Sequence, residues 1–336
     1  MRIALISPFS RGPQRGNITT VNRISHFLRQ TGIELMVLPA DALSFSDMEQ
    51  QLISFSPRLI HGFHACYGGC RARHLAETLD IPFIITITGS DLHDPQLRCN
   101  PEAARALKNA QTVVCFAGTE ATELVGFFPH LSGRVAVIAQ GVERLPVAAD
   151  EHFGIPENDF VLLLPAALRP VKQIEFPLQA IATLIGRYPS IRLVIAGGII
   201  NHDYAATIGD LLTGSPSATW LGEVPRELMG ALYSRADVVI NCSRFESMPN
   251  TLMEAMALER PVLAIDIPGN RTLVRHGSTG LLYRDPDTFC EGTIKLKDDA
   301  GLREKLARQA GEAMRSSFSP HAEAENYVRL YDSLIS

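Results

Sequence analysis

The residue pattern that most narrows the fold is an alternation, run through twice, of short apolar stretches with segments that are apolar at helical spacing. In the first half, residues 2–7, 33–38, 58–64, 82–88, 112–117 and 134–138 read as strands. Residues 19–29, 46–55, 70–79, 101–109 and 119–127 read as the helices between them; Val21, Ile24, Phe27 and Leu28 share one face of the first, and Gly32 stops it. The pattern restarts at 160–165. Strands follow at 192–196, 219–221, 237–242, 261–265 and 280–283, and helices at 175–188, 204–212, 225–234, 250–258, 287–295, 302–316 and 321–334. Apolar strands joined by helical crossovers form parallel sheets covered on both faces. The turn-rich stretch 141–159 has no clear period and separates the halves. The expectation is an α/β chain of two doubly wound, Rossmann-like domains facing each other across a cleft. Their spans are 1–145 and 158–318, with a closing helix at 319–336 packed back on the first domain.

Composition sets limits on what such a chain does. A net charge of −5 argues against tracking a phosphate backbone, so no nucleic acid is expected. The N-terminus, Met1-Arg2-Ile3-Ala4, reads as a strand that meets Pro8 rather than as a signal peptide, and no apolar run is long enough to span a bilayer. Six scattered cysteines fit a reducing, cytoplasmic setting. His64, Cys66, Cys70 and His74 cluster in sequence, but Cys-x3-Cys with a flanking His on each side is not a standard zinc spacing; free thiols on a loop and a helix are expected there. Asp285-Pro286-Asp287 precedes a helix and reads as a turn and cap rather than a metal site. The loop after the first strand lacks the Gly-x-Gly-x-x-Gly dinucleotide spacing. The chain also has no Gly-x4-Gly-Lys-Ser/Thr, Gly-x-Ser-x-Gly or His-Glu-x-x-His.

In doubly wound sheets ligands bind at the carboxyl ends of the strands, so the informative residues follow strands. After the first strand come Gly16 and Asn17, which read equally as a glycine turn with a cap. After the third come His61 and His64, and after the fourth Gly89, Ser90 and Asp91. After 160–165 come Arg169 and Lys172. Cations at a helix start oppose its dipole, and a bound anion reverses that penalty; Arg grips a diphosphate as a fork and Lys as a point charge. After 237–242 comes Glu246 on a loop. Pro249 and Asn250 then open a helix that carries Glu254 one turn in. The amides of Asn250, Thr251 and Leu252 make an anion site, and the two acids accept from hydroxyls. A glutamate near a helix start is also common without function, so this spacing acquires weight only from its surroundings.

Those surroundings resemble a known group. Arg169 and Lys172, the Glu-x7-Glu of Glu246 and Glu254, Ala255-Met256, Pro261-Val262 and Gly280-Leu281 are similar to the retaining GT-B glycosyltransferases of family 4. The stretch Gly16–Arg23, His64, Gly89-Ser90-Asp91 and Ile267-Pro268-Gly269-Asn270 resemble a branch that holds animal glycosyltransferase-domain proteins and bacterial selenosugar synthases. The resemblance implies a nucleotide-sugar donor, UDP-linked by family habit, with no cofactor and no metal; the acceptor stays open. It implies that Arg169 and Lys172 hold the diphosphate, Glu254 the ribose and Glu246 the donor sugar. Gly16, Asn17, Asp91 and His64 would line the sugar and acceptor side, with Glu223 and Val224 beside the base. Selenosugar synthesis, nucleotide-sugar epimerisation and passive nucleotide-sugar binding stay open as alternatives. Two departures stand out. Ser247 follows the first glutamate where the family usually has Gly, and Thr88 precedes Gly89 where a His is usual.

Overall fold

The computed structural model describes residues 1–10, 16–147 and 153–335. The chain forms two compact units. Unit 1 takes Met1–Gly141, Phe245–Met248 and Phe318–Ser336; unit 2 takes Val142–Arg244 and Pro249–Ser317.

Unit 1 is built on a six-stranded sheet. Its strands are β1 (Arg2–Ser7), β2 (Glu34–Pro39), β3 (Leu59–Phe63), β4 (Phe83–Thr86), β5 (Thr112–Cys115) and β6 (Val135–Val137), in the order β2-β1-β3-β4-β5-β6. Every pairing is parallel. Helix Gly16–Gln30 lies on one face, joined there by helix Pro320–Ile335, whose Ala324, Tyr327 and Tyr331 share a core with Ile24 and Leu28. Tyr331 reaches the sheet through a 2.7 Å hydrogen bond to His61 Nδ1, and His61 Nε2 meets Thr86 Oγ1 at 2.7 Å. Burial holds the His61 pKa down at about 3, so the ring stays neutral.

Unit 2 repeats the plan. Strands β7 (Phe160–Pro165), β8 (Ile191–Ala196), β9 (Ala218–Trp220), β10 (Val238–Asn241), β11 (Val262–Ile265) and β12 (Leu281–Tyr283) lie in the order β12-β11-β10-β7-β8-β9. These too pair in parallel. β7 is buried along its whole length, which is why it reads as an unbroken apolar run.

The strand orders locate the sites. In unit 1 the chain runs from β1 outward to β2, then crosses to β3; in unit 2 it runs from β7 through β8 to β9, then crosses to β10. Each reversal leaves a crevice at the carboxyl ends of the two strands that flank it. The loops at those crevices follow β1 and β3 in unit 1, and β7 and β10 in unit 2.

Two elements differ from their sequence reading. The helix expected over 175–188 is Glu175–Ala182, and the Thr183 hydroxyl donates to the Ala180 carbonyl at 2.7 Å as the chain turns out of it. The strand expected over 58–64 stops at Phe63, because His64 adopts a left-handed φ of 67° and opens a π-helical turn, His64–Gly69. Glycine is required in that turn. A Cβ on Gly68 would sit 2.4 Å from the Phe63 carbonyl oxygen and 2.5 Å from that of Ile6, so no side chain fits against the ends of β3 and β1.

Candidate functional site

At the carboxyl edge of unit 1, His64 stands at the crevice between β1 and β3, fully buried and held in its uncommon backbone conformation by the π-helical turn. The Cys66 N–H donates to Nδ1 at 3.3 Å. Burial lowers the ring's pKa, outweighing the attraction of Asp91, so the imidazole is neutral with its proton on Nε2. Nε2 then donates to Ser90 Oγ at 3.1 Å. Gly16 and Asn17 head helix Gly16–Gln30 on the other side of the same crevice; Gly16 is exposed and Asn17 partly so.

Asp91, read as substrate-facing, turns both oxygens to backbone amides. Oδ1 accepts from Thr88 N at 3.0 Å and Gly89 N at 2.9 Å, and Oδ2 from Ala65 N at 2.8 Å. It is 3% exposed and ties the loop after β4 to the turn that holds His64. The side chain shapes the edge.

Glu246 and Ser247 join this edge. The chain leaves unit 2 after Arg244, gives Phe245–Met248 to unit 1 and returns at Pro249. The two glutamates of the Glu-x7-Glu spacing thus belong to different units. Ser247 packs so closely on Gly89 that a Cβ there would lie 3.2 Å from its own. Its hydroxyl donates to Glu120 Oε1, while the Phe116 N–H donates to Glu120 Oε2 at 2.9 Å. Burial raises the Glu120 pKa to about 7, against the Ser247 and Phe116 hydrogen bonds that favour the charge. The next residue is also tied down: the Met248 carbonyl accepts from Gln140 Nε2 at 2.8 Å. Gln140 Oε1 accepts from Thr20 at 2.8 Å and from Arg23 at 3.0 Å, and Arg23 forms a buried two-toothed pair with Glu323 at 2.9 and 3.1 Å.

In unit 2, Arg169 and Lys172 sit on the loop after β7, both half-buried. A 3-10 turn, Pro170–Lys172, carries them, and Gln173 follows in the left-handed region at φ 46°. This loop is stitched to the chain leaving β10: Arg244 N donates to the Val171 carbonyl at 2.9 Å, and Cys242 Sγ to the Lys172 carbonyl at 3.1 Å. Helix Asn250–Ala257 begins just beyond, with Asn250 as its first residue and Pro249 as its N-cap. Of the three amides expected to serve an anion, that of Leu252 is already engaged, donating to the Pro249 carbonyl at 3.1 Å, because the helix opens with a tight first turn. Thr251 lies between them in that turn.

Glu254 is 7% exposed. Oε1 accepts from Arg226 Nη1 at 2.9 Å and Oε2 from the Tyr233 hydroxyl at 3.0 Å. A carboxylate has about four acceptor positions, so two donors orient it and leave capacity for a ligand hydroxyl. Glu223 is exposed and Val224 buried, on the turn after β9 that Gly222 allows at φ 74°. Gly222 also accepts from Gly197 N at 2.7 Å, which fixes that turn to the end of β8.

The partners of these residues escaped the sequence reading. Arg226 and Tyr233 lie seven apart on helix Arg226–Arg235, a spacing that puts them on one face. Glu120 stands just after β5, at the same strand edge that singled out His64.

The thiols are separately engaged. Cys66 Sγ donates to the Leu97 carbonyl at 3.2 Å and Cys70 Sγ to that of Ala65 at 3.3 Å, and burial raises their pKa values to about 12 and about 11. The His74 ring packs edge-on against Phe45, 4.3 Å away. Among the described residues no three His, Cys, Asp or Glu side chains converge as metal ligands. Asp285 is the N-cap of helix Pro286–Asp298 and accepts from Thr288 N at 2.8 Å, which bears out its reading as a cap. No described helix is long and apolar enough to cross a membrane.

The chain resembles solved glycosyltransferase structures over nearly its whole length. It matches sucrose-phosphate synthase from Thermosynechococcus elongatus with a TM-score of 0.86 at 19% identity, covering 99% of this chain and 98% of that one. It matches Anabaena HepE in complex with UDP-glucose at a TM-score of 0.83 and 17% identity, covering 99% and 100%. At these identities the likeness establishes the fold, which is GT-B. In sequence it is 26% identical to glycosyltransferase 1 domain-containing protein 1 of Xenopus tropicalis over 94% of this chain and 93% of that protein. It is 28% identical to D-inositol 3-phosphate glycosyltransferase of Corynebacterium urealyticum over 88% and 79%. Residues 148–313 fit the family model of the glycosyl transferases group 1. That segment contains Arg169, Lys172 and the helix bearing Glu254.

Proposed function

We propose that this protein is a retaining glycosyltransferase that moves a sugar from a nucleotide diphosphate, UDP-linked, to an acceptor without a metal ion. The observation that carries the proposal is in unit 2. The two loops flanking the strand-order reversal there bear a cation pair, Arg169 and Lys172, and a helix start followed by a donor-anchored carboxylate, Glu254. A nucleoside diphosphate needs positive charge at its phosphates and an acceptor for its ribose hydroxyls, and these loops offer both. Anabaena HepE, similar in fold, binds UDP-glucose.

In this reading Arg169 and Lys172 hold the diphosphate and stabilise the charge that gathers on it as the glycosidic bond breaks. Fixed donors of this kind commonly contribute ~3 kcal/mol each to the transition state. The amide of Thr251, at the positive end of the helix dipole, adds to that field. Glu254 accepts from the ribose and Glu246 from the donor sugar. The base lies beside Glu223 and Val224. His64 presents a neutral imidazole to the sugar side, together with Gly16 and Asn17. Two side-chain cations take the place that a divalent ion occupies in metal-dependent transferases. The acceptor's proton passes to the departing phosphate, so the reaction needs no separate base on the protein.

The test is a thermal-shift screen of nucleotide sugars, followed by product analysis with the best donor in the presence of a chelator. Retention of the donor's anomeric configuration in the product, with full turnover in chelator, supports the proposal. An inverted product, or loss of turnover that added metal restores, overturns it.

A further inference from the structure

Glu120 is an acid at the carboxyl edge of unit 1 for which the proposed reaction has no use, and it is 5% exposed. It lies in the first turn of helix Gly118–Phe127, directly after β5. Its two oxygens are divided between a backbone partner and a side-chain one. Oε2 takes the Phe116 amide at 2.9 Å, and Oε1 takes the hydroxyl of Ser247, the residue next to Glu246. Ser247 itself is 8% exposed and in contact with Gly89, whose neighbour Ser90 bonds His64. Ser247 therefore links the segment carrying Glu246 to two loops: its hydroxyl bonds Glu120 after β5, and its Cβ and backbone pack on Gly89 after β4.

We infer that Glu120 is a positioning residue: through Ser247 it sets where the Glu246 carboxylate is presented to the donor sugar. The inference rests on the reading of Glu246 as a ligand of that sugar. It also accounts for the serine. A glycine at 247 would leave the Glu120 carboxylate without its side-chain donor and the loop without a side-chain tether, whereas the serine hydroxyl is directed to Glu120.

The linkage has two states that differ in the direction of one hydrogen bond. With Glu120 ionised, Ser247 O–H must donate to it. With Glu120 protonated, the carboxyl donates to Ser247 Oγ and the serine proton turns elsewhere. The groups that face Glu120 are Asp91 from the loop after β4, Glu123 from its own helix and the Cys115 thiol from β5; His93 lies 3.4 Å from Glu123 and offsets it when protonated. Asp91 and Glu123 add to burial in favouring the neutral carboxyl, so the exchange falls at about pH 7. Glutamine at 120 fixes the protonated-like arrangement, since its amide donates to Ser247 Oγ at every pH.

The test uses the full chain and whichever of UDP-glucose, UDP-galactose and UDP-N-acetylglucosamine stabilises it most. Donor KM, kcat and the affinity for UDP alone are measured for wild type, Glu120→Ala, Glu120→Gln, Ser247→Ala and Glu246→Gln, with thermal unfolding as the check on folding. Glu120→Ala and Ser247→Ala should raise donor KM about tenfold, the scale of one hydrogen bond to a charged group, and leave UDP affinity within about twofold. Glu120→Gln should recover most of that loss, and the change in donor KM around pH 7 seen in wild type should be absent from it. The inference is overturned if the folded Glu120 and Ser247 variants keep wild-type donor KM and pH profile while Glu246→Gln loses transfer. It is equally overturned if UDP affinity falls in parallel, which marks a general structural defect. Unchanged transfer in Glu246→Gln, or stabilisation by none of the three donors, overturns the underlying reading of Glu246 and the inference with it.

Discussion

Tyr233 donates its hydroxyl to Glu254 Oε2 at 3.0 Å, from a helix whose Arg226 holds the other oxygen. Tyr233 is fully buried, and burial together with the Glu254 charge raises its pKa well above the ordinary value, so it remains a donor at any working pH. A carboxylate aimed in this way from one side is prepared to accept from the other.

Removing that hydroxyl should therefore be felt twice. Tyr233→Phe leaves a nearly buried carboxylate oxygen short of a donor, which costs about 1.5–3 kcal/mol of stability in urea titration. On the proposed reading of Glu254 as the ribose acceptor, calorimetry should show UDP binding about tenfold weaker, because the carboxylate loses one of its two fixing donors. Wild-type UDP affinity in the variant would remove Glu254 from the donor site.

Lys172 lies on a turn held by backbone contacts to the chain leaving β10, so its loss should spare the fold. Lys172→Ala is expected to lower kcat roughly a hundredfold or more with little change in melting temperature. Near-normal transfer by the variant would show that the diphosphate is held elsewhere.

The Arg23–Glu323 pair is buried at both ends, with side-chain exposures of 4% and 1%. Glu323→Ala leaves an uncompensated guanidinium and should cost about 3–5 kcal/mol in denaturant unfolding. Because Glu323 also accepts from Gly141 N at 3.0 Å, helix Pro320–Ile335 should lose hydrogen-exchange protection before the sheet does. Equal loss across unit 1 would contradict a local role for the pair.

Two buried groups give stability opposite dependences on pH. The Glu120 pKa is raised in the folded chain to about 7, so its contribution is complete below the unfolded value of roughly 4.3 and is lost as pH rises through about 7. The His61 pKa is lowered to about 3, so its contribution is complete above the unfolded value of roughly 6.5 and is lost as pH falls toward 3. Glu120→Gln should steepen the acid loss of stability between about pH 7 and 4.3, and His61→Gln should flatten it. Unfolding curves at several pH values decide this; two variants with the slope of wild type would refute both assignments.

Much of this was legible in the residues. The order of the sheet strands and of the longer helices is legible because apolar runs and helical spacing are local signals, and the start of helix Asn250–Ala257 reads from Pro249-Asn250 for the same reason. Helix Glu175–Ala182 was read too long because Thr183, whose hydroxyl takes a backbone carbonyl, is a weak local stop beside a strong apolar period. The rule of looking after strands found His64, Arg169 and Lys172, and applied after β5 it would also have reached Glu120.

Sequence alone determined which polar side chains stand at the strand ends: the charged Arg169, Lys172, Glu246 and Glu254 and the imidazole of His64 stand where the βα alternation puts them. Tertiary structure decided what those residues are tied to. It gave Phe245–Met248 to the unit of Gly89 and Glu120, turned Asp91 inward to three amides, and clamped Glu254 with Arg226 and Tyr233. The physical reason is separation along the chain. Glu120 and Ser247 are 127 residues apart and Arg23 and Glu323 are 300, so no local propensity encodes either pair. Burial alone makes such contacts obligatory, since a charged group removed from water must find its partner wherever the fold brings one.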